Sequence, residues 1–229
     1  MPYILSIETS TQICSIALHQ NGALIDLEAN DGKGAHSELL VRMISDLLDR
    51  CNISMRELNA IAVSEGPGSY TGLRIGISTA KGLAFAWDLP LIGIPTLKLL
   101  AYAAVENLGD IPYIIPVLDA RRMEVYREVF DSELNTLDAL DSELIDQNSF
   151  KAWLDHNRVC FLGDGAEKLK NVLENCNAIF LDIEISARFM GELAFDKYQS
   201  SKFEDLAYFV PNYLKEFKAL HSKKNPLLS

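Results

Sequence analysis

The stretch Glu65-Gly66-Pro67-Gly68-Ser69-Tyr70-Thr71-Gly72-Leu73-Arg74-Ile75-Gly76 decides how the chain is read. The apolar run Ala60-Ile61-Ala62-Val63 feeds it, and a segment rich in small residues, Ile75 to Trp87, leaves it. That order spells strand, tight glycine loop, helix. Gly66 and Gly68 open backbone angles closed to other residues, and Pro67 stiffens the bend between them. Ser69 and Thr71 are natural N-caps, so first-turn amides would point out of the loop, where an anion could sit. The spacing fits neither Gly-x-Gly-x-x-Gly nor the phosphate loop ending in Gly-Lys-Ser/Thr. A plain connection whose glycines only allow close packing therefore stands beside the anion reading.

Within the helix, Gly72, Gly76, Ala80 and Ala84 fall four apart and form a stripe of small side chains. Such a stripe lets another backbone approach closely. Gly82, Thr79 and Ala86 keep a second stripe small, and only Arg74, Ser78 and Lys81 make a narrow polar side. The expectation is a helix packed nearly all round.

Outward from this helix the chain reads as two passes of the same plan. Tyr3 to Glu8, Cys14 to His19 and Leu24 to Glu28 are three strands, the last two joined by an Asn21-Gly22 hairpin turn. Asp31-Gly32-Lys33-Gly34 breaks the pattern, and a helix runs from Ala35 to Cys51. After the glycine loop and its helix come a short strand, Leu91 to Ile94, and a helix starting near Thr96. Past Gly109-Asp110 the chain begins again. Tyr113 to Asp119 echoes Tyr3 to Glu8, Glu124 to Phe130 is a second strand, and Glu143 to Asp146 a third. Shorter helices near Phe150 and Leu169, strands at Val159–Leu162 and Ile179–Leu181, and a helix from Ala187 to Tyr198 complete it. The reading is a duplicated α/β protein with a cleft between its halves.

With 229 residues, 48% hydrophobic, the chain can fill one large core or two smaller lobes. A formal net charge of −11 makes it a poor candidate for gripping nucleic acid unaided. Lys215, Lys218, Lys223 and Lys224 gather in the tail and read as a solvated terminus. Met1 to Glu8 meets a charge too early for a signal peptide, and no apolar run is long enough to span a bilayer. Cys14, Cys51, Cys160 and Cys176 show neither zinc spacing nor a disulfide framework. A cytoplasmic protein with reduced thiols is expected.

On the Ala35–Cys51 helix, Leu39, Leu40, Val41, Met43, Ile44, Leu47 and Leu48 cover about 200° of the circumference. A helix lying on one sheet needs a stripe only a little over 100° wide. The surplus, centred on Val41, Ile44 and Leu48, must be covered either by the neighbouring small-residue helix or by a second chain. In the second case Leu40, Val41, Ile44 and Leu48, with Gly72, Gly76 and Ala80, form a partner-binding patch that His36 borders. His36 itself reads as a surface or capping residue rather than a metal ligand.

The chemical inventory is thin. The histidines, His19, His36, His156 and His221, include no pair at helix-ligand spacing. Glu8 and Asp119 are the best paired carboxylates, each at a strand end facing the presumed cleft, where a phosphoryl-transfer enzyme would hold magnesium through water. The bland alternative has them bonded to the turns Thr9-Ser10 and Ala120-Arg121. With Thr9, Ser69, Tyr70 and Thr71 they make the candidate nucleotide or anion site; no catalytic residue and no metal site is expected.

Ile7-Glu8-Thr9-Ser10, the Gly66–Gly76 loop, Leu89-Pro90-x-Ile92-Gly93-Ile94-x-Thr96-Leu97, Asp119-Ala120-Arg121-x-x-Glu124-Val125-Tyr126 and Pro211-x-Tyr213-Leu214 together resemble the TsaB (YeaZ) family. That family supplies the non-catalytic subunit of bacterial tRNA threonylcarbamoyladenosine synthesis. The resemblance implies an actin-like (ASKHA, ribonuclease H-like) duplicated two-lobed fold. One lobe spans residues 1–108, joined by the segment 206–229, and the other spans 109–205. It implies a TsaD-like catalytic paralogue as partner, a TsaE-like ATPase subunit in the complex, a homodimer when alone, and only indirect contact with tRNA. It implies no intrinsic cofactor, with ATP or ADP confined to the complex interface. The paralogue binds metal with a His-x-x-x-His pair; alignment puts Thr96 and Leu100 at those places, and neither can replace imidazole. Arg122-Met123 departs from the family, many of whose members have a glycine after Asp-Ala-Arg. In the family the two N-terminal helices carry the association, in line with the surplus arc. An independent actin-like ATPase or kinase using Glu8, Asp119 and the Gly66–Gly72 loop is the alternative; a glycoprotease-like metallopeptidase would need the missing histidines.

Overall fold

The computed structural model describes residues 1–30 and 36–214. The Asp31–Gly34 break and the four tail lysines lie outside the described residues, as does the side chain of His36. The first pass comprises β1 (Tyr3–Glu8), β2 (Cys14–Gln20), β3 (Ala23–Asn30), α1 (His36–Cys51), β4 (Leu58–Gly66), α2 (Tyr70–Trp87), β5 (Leu91–Pro95) and α3 (Thr96–Ala104). Asn21 and Gly22 turn between β2 and β3 with φ of 51° and 84°, the left-handed pair that a tight hairpin demands. The second pass comprises β6 (Tyr113–Asp119), β7 (Glu124–Asp131), β8 (Thr136–Leu144), α4 (Lys151–Leu154), β9 (Val159–Leu162), α5 (Ala166–Lys170), β10 (Ala178–Phe180) and α6 (Met190–Gln199).

Two five-stranded mixed sheets result, in the orders β3-β2-β1-β4-β5 and β8-β7-β6-β9-β10. Position for position these are the same sheet. In each, the first strand pairs antiparallel with the second and parallel with the fourth, Leu5 opposite Leu18 and Ile61 in one, Ile114 opposite Phe130 and Cys160 in the other. The duplication read from element order is therefore present in the hydrogen-bonded topology.

Three apolar layers organise the molecule. Strands of both sheets close on a middle layer with α3 and α6, where Ile4, Ile92, Leu97, Leu100, Ile114, Leu118, Phe130 and Met190 meet. The outer face of the first sheet is covered by α1 and α2, through Leu5, Ile7, Ile16, Leu40, Leu47, Ile61 and Ile77. The outer face of the second is covered by little more than α4 and α5, over Val117, Val129, Phe150 and Phe161.

One strand boundary differs from the sequence reading. The third strand of the second lobe is Thr136–Leu144, not Glu143–Asp146. It is a sheet edge whose side chains are exposed or half-buried, and Asp138, Asp141 and Glu143 break up its apolar pattern. Late in the chain, α6 and the turn before it lie against the first sheet. Helix α6 packs on β5 and β1. The turn before it is bonded to the first sheet, since the Ala187 amide donates to Ser15 Oγ at 2.9 Å. His19, fully buried, fixes the same junction with Nδ1 3.1 Å from Ser6 Oγ and Nε2 3.2 Å from the Arg188 carbonyl. The carbonyl can only accept, so Nε2 carries the proton and Nδ1 accepts from Ser6.

Candidate functional site

The candidate nucleotide residues begin at the end of β1. Glu8 is fully buried, its Oε1 accepts the Ser10 amide at 2.5 Å, and among the described residues its Oε2 has no hydrogen-bond partner. Burial pushes its carboxyl up to about 7. The turn after Glu8 lies against the start of α2. The Ser69 amide donates to the Ser10 carbonyl at 2.6 Å, and Thr9 Oγ1 donates to the Gly72 carbonyl at 2.8 Å. A Cβ on Gly72 would strike the Thr9 carbonyl and one on Gly76 would strike Thr9 Oγ1. The glycine stripe thus serves close approach, as its spacing indicates, but the backbone that approaches is the chain's own.

That contact bears on the anion reading. Ser69 caps α2, its Oγ accepting the Gly72 amide at 3.2 Å, so one first-turn donor is spent. The carbonyls of Thr9 and Ser10 crowd the remaining space over Gly68 and Gly72. Tyr70 faces the other way, its ring 4.8 Å from Tyr213 with the Arg74 guanidinium 3.9 Å above it. Asp119 joins neither Glu8 nor this loop. It is exposed and held by Lys168, whose Nζ donates to Asp119 Oδ1 at 2.7 Å and to the Glu124 carbonyl at 2.9 Å. Glu8, Thr9 and Ser69 are brought together with Gly72. Tyr70, Thr71 and Asp119 are not, and among the described residues the Thr9 and Ser10 carbonyls crowd the space over Gly72 and Gly68.

Thr96 and Leu100 lie deep between the lobes, 0% and 1% exposed. Leu100 Cδ1 comes within 3.2 Å of where a Cβ on Gly163 would sit, so a leucine side chain fills the space between α3 and the second sheet. Among the described residues no group of three histidine, cysteine or carboxylate side chains could share a metal ion.

The partner-binding residues need the larger correction. Leu40, Ile44, Leu48 and Ala80 are 0%, 3%, 4% and 0% exposed, and Gly72 and Gly76 are buried against Thr9. Helix α2 itself closes the apolar arc of α1, its Ile77, Ala80 and Ala84 sharing one core with Leu40, Ile44 and Leu48. Within the folded chain these six residues present almost no surface to a second one. Among the described side chains of the patch Val41 alone is exposed, at 56%. The outer face of α2 is bare instead, with Phe85 82% exposed. Gly82, between Ser78 and Phe85 on that face, would have nothing within 4 Å of an added Cβ. The sequence reading noted Gly82 and Ala86 as a second small stripe, but nothing in the periodicity told which stripe faced inward.

A strap after α6 finishes the first lobe. The Glu204 amide bonds to the Leu91 carbonyl at 2.8 Å and the Asn212 amide to the Glu65 carbonyl at 2.7 Å. Between them Lys81 Nζ donates to the Phe209 carbonyl at 2.8 Å, and Arg74 Nε donates to the Tyr213 hydroxyl at 3.0 Å. The polar side of α2 is thus used within the chain.

Similarity to known proteins agrees with this architecture. The family model described as TsaD, tRNA N6-adenosine threonylcarbamoyltransferase, matches residues 30–223. The tRNA threonylcarbamoyladenosine biosynthesis protein TsaB of Bacillus subtilis is 32% identical over 96% of this chain and 99% of its own length. TsaB of Escherichia coli is 36% identical over 58% of this chain, and that match spans little more than half of the relative, 56%. YeaZ from Pseudomonas aeruginosa superposes with a TM-score of 0.80 at 26% identity, covering 93% of this chain and all of that one. The activator of 2-hydroxyisocaproyl-CoA dehydratase from Clostridium difficile, 12% identical with a TM-score of 0.50 over 87% of this chain and 97% of its own, shares the fold alone. With two lobes of one strand order, the actin-like α/β plan and a match along nearly its whole length, the chain belongs to the TsaB (YeaZ) family.

Proposed function

We propose that this chain is a non-catalytic subunit in the synthesis of tRNA threonylcarbamoyladenosine, docking through the outer face of α2 and the start of α1 onto a TsaD-like transferase and activating it. The observation that carries this is Gly82. A glycine inside an exposed helix costs about 1 kcal/mol relative to alanine. Among the described residues no neighbour requires it. With Phe85 exposed one turn away and Ala86 beside it, the face has an aromatic anchor next to a place where another backbone can come close.

In this reading the chain carries no cofactor of its own, and ATP or ADP binds only where a partner completes the site. A TsaE-like ATPase joins the same complex, tRNA is held mainly by the transferase, and two copies of this chain pair through α2 when no transferase is present. The crowding over Gly72 and the apolar filling around Leu100 weigh against the independent kinase and the metallopeptidase.

The test is a binding titration of the purified chain with the purified transferase. Phe85→Asp, which touches no core, is expected to weaken binding at least ten-fold while the thermal midpoint stays put. Unchanged affinity would remove α2 as the docking face. Tight magnesium-dependent ATP binding with turnover by the isolated chain would favour the kinase reading instead.

A further inference from the structure

The hairpin turn after β6 breaks a local rule. Arg121 and Arg122 are both left-handed, with φ of 68° and 50°. Consecutive left-handed positions in a hairpin belong by backbone preference to asparagine and glycine, as at Asn21-Gly22 in the same protein. Two long cationic side chains are poor occupants of such a turn, so folding does not account for their presence.

Nor are they consumed by intramolecular pairing. Arg42, Arg50, Arg127 and Arg158 form ion pairs, and Arg74 and Arg188 lie over aromatic rings. No ion pair among the described residues involves Arg121 or Arg122, and both side chains are exposed. This occurs on a chain of net charge −11, where carboxylates are plentiful.

The turn that presents them is stiff. Asp119 Oδ1 accepts the Arg121 amide and Lys168 Nζ, and Asp164 Oδ1 accepts the Asp119 amide at 2.8 Å. The Glu124 amide reaches back to the Arg121 carbonyl at 3.2 Å, and the Ile145 amide bonds to the Met123 carbonyl at 2.7 Å. Lys168, which ties the two sides of the hairpin, is only 17% exposed. Next to the arginines stand Met123, 43% exposed, and Leu144, 71% exposed, on the adjoining strand.

We propose that Arg121 and Arg122, with Met123 and Leu144, form a second docking point, separate from α2, for an acidic and partly apolar patch on the protein partner. Arginine and methionine are enriched at protein interfaces, and a fixed turn presents them at little ordering cost. The apolar half of the patch, Met123 and Leu144, favours a protein surface over a nucleic-acid backbone. The proposal rests on the reading that the partner is the transferase.

Arg121→Asn combined with Arg122→Gly tests it, because this pair suits the backbone while removing the charge. The thermal midpoint is expected to hold or rise, while affinity for the purified transferase falls ten-fold or more. The charge reversal Arg121→Glu with Arg122→Glu falls further, and raising salt weakens wild type but not the Asn-Gly variant. Transferase affinity within two-fold of wild type in both variants would overturn the proposal. So would a loss seen only in tRNA binding by the assembled complex, since the ligand would then be a phosphate. The Phe85→Asp variant separates the two claims. Arginine variants that weaken binding while Phe85→Asp does not would leave the turn standing and remove the α2 face.

Discussion

The two lobes are built on one strand order, yet their equivalent strand ends have been put to opposite uses. At the end of β1 a carboxyl is sealed inside, and its turn is pressed onto α2. At the end of β6 a carboxyl is exposed, salt-bridged to Lys168, and its turn stands out in solvent. The outer layers differ in the same sense, with helices of 16 and 18 residues over the first sheet and of 4 and 5 over the second. A duplicated fold fixes where strand ends fall but not what they do; the side chains packed around each decide that.

The largest effect should come from Glu8. Its folded pKa of about 7 lies above the ordinary 4.5, so the folded state holds a proton that the unfolded chain releases. Stability is therefore lost as pH rises from about 4.5 to 7 and is flat above, a cost of about 3 kcal/mol at pH 8. Glu8→Gln should match wild type near pH 4.5 and exceed it by about 3 kcal/mol at pH 8 in urea unfolding. Parallel pH profiles for the two proteins would mean that the strand ends do not differ as described.

Next in size is the contact between the first turn and α2. Gly72→Ala drives a methyl into the Thr9 carbonyl, and overpacking against backbone of this kind costs about 2 kcal/mol. The second lobe's turn is tied to α5 through one side chain, Lys168. Lys168→Met removes hydrogen bonds to Asp119 and the Glu124 carbonyl, at a cost of about 1.5 kcal/mol. High salt should leave the Gly72→Ala deficit unchanged and shrink the Lys168→Met deficit, which calorimetry at two ionic strengths would resolve.

Sequence made the architecture legible because alternation, hairpin chemistry and small-residue spacing are local signals. Asn21-Gly22, the Glu65–Gly76 loop and the echo of Tyr3–Glu8 in Tyr113–Asp119 all act through neighbouring residues. What stayed hidden depends on tertiary neighbours. The wide apolar arc of α1 was readable, but that α2 would cover Ile44 and Leu48 and leave Val41 bare was not. Glu8 and Asp119 look alike as strand-end carboxylates, and only packing separates them. Strand β8 starts seven residues before the expected Glu143 because an edge strand need not be apolar. Helix α6 follows the second lobe in sequence and packs on the first, which no periodicity encodes.

The smallest effect is also the most discriminating, since it sets the two glycines of α2 against each other. Gly72 is held small by the chain's own Thr9, whereas around Gly82 the chain leaves open space. If folding alone had chosen these residues, alanine would be better at position 82. Gly82→Ala should therefore raise the stability of the isolated chain by about 1 kcal/mol, the reverse in sign of Gly72→Ala. If another backbone comes close at that position, the same added methyl must lower the chain's affinity for the transferase, and Gly82→Leu must lower it further. A gain in stability with no loss of binding would mean that the outer face of α2 is ordinary solvent-facing helix. A gain together with a loss is what a surface kept small for a partner has to give.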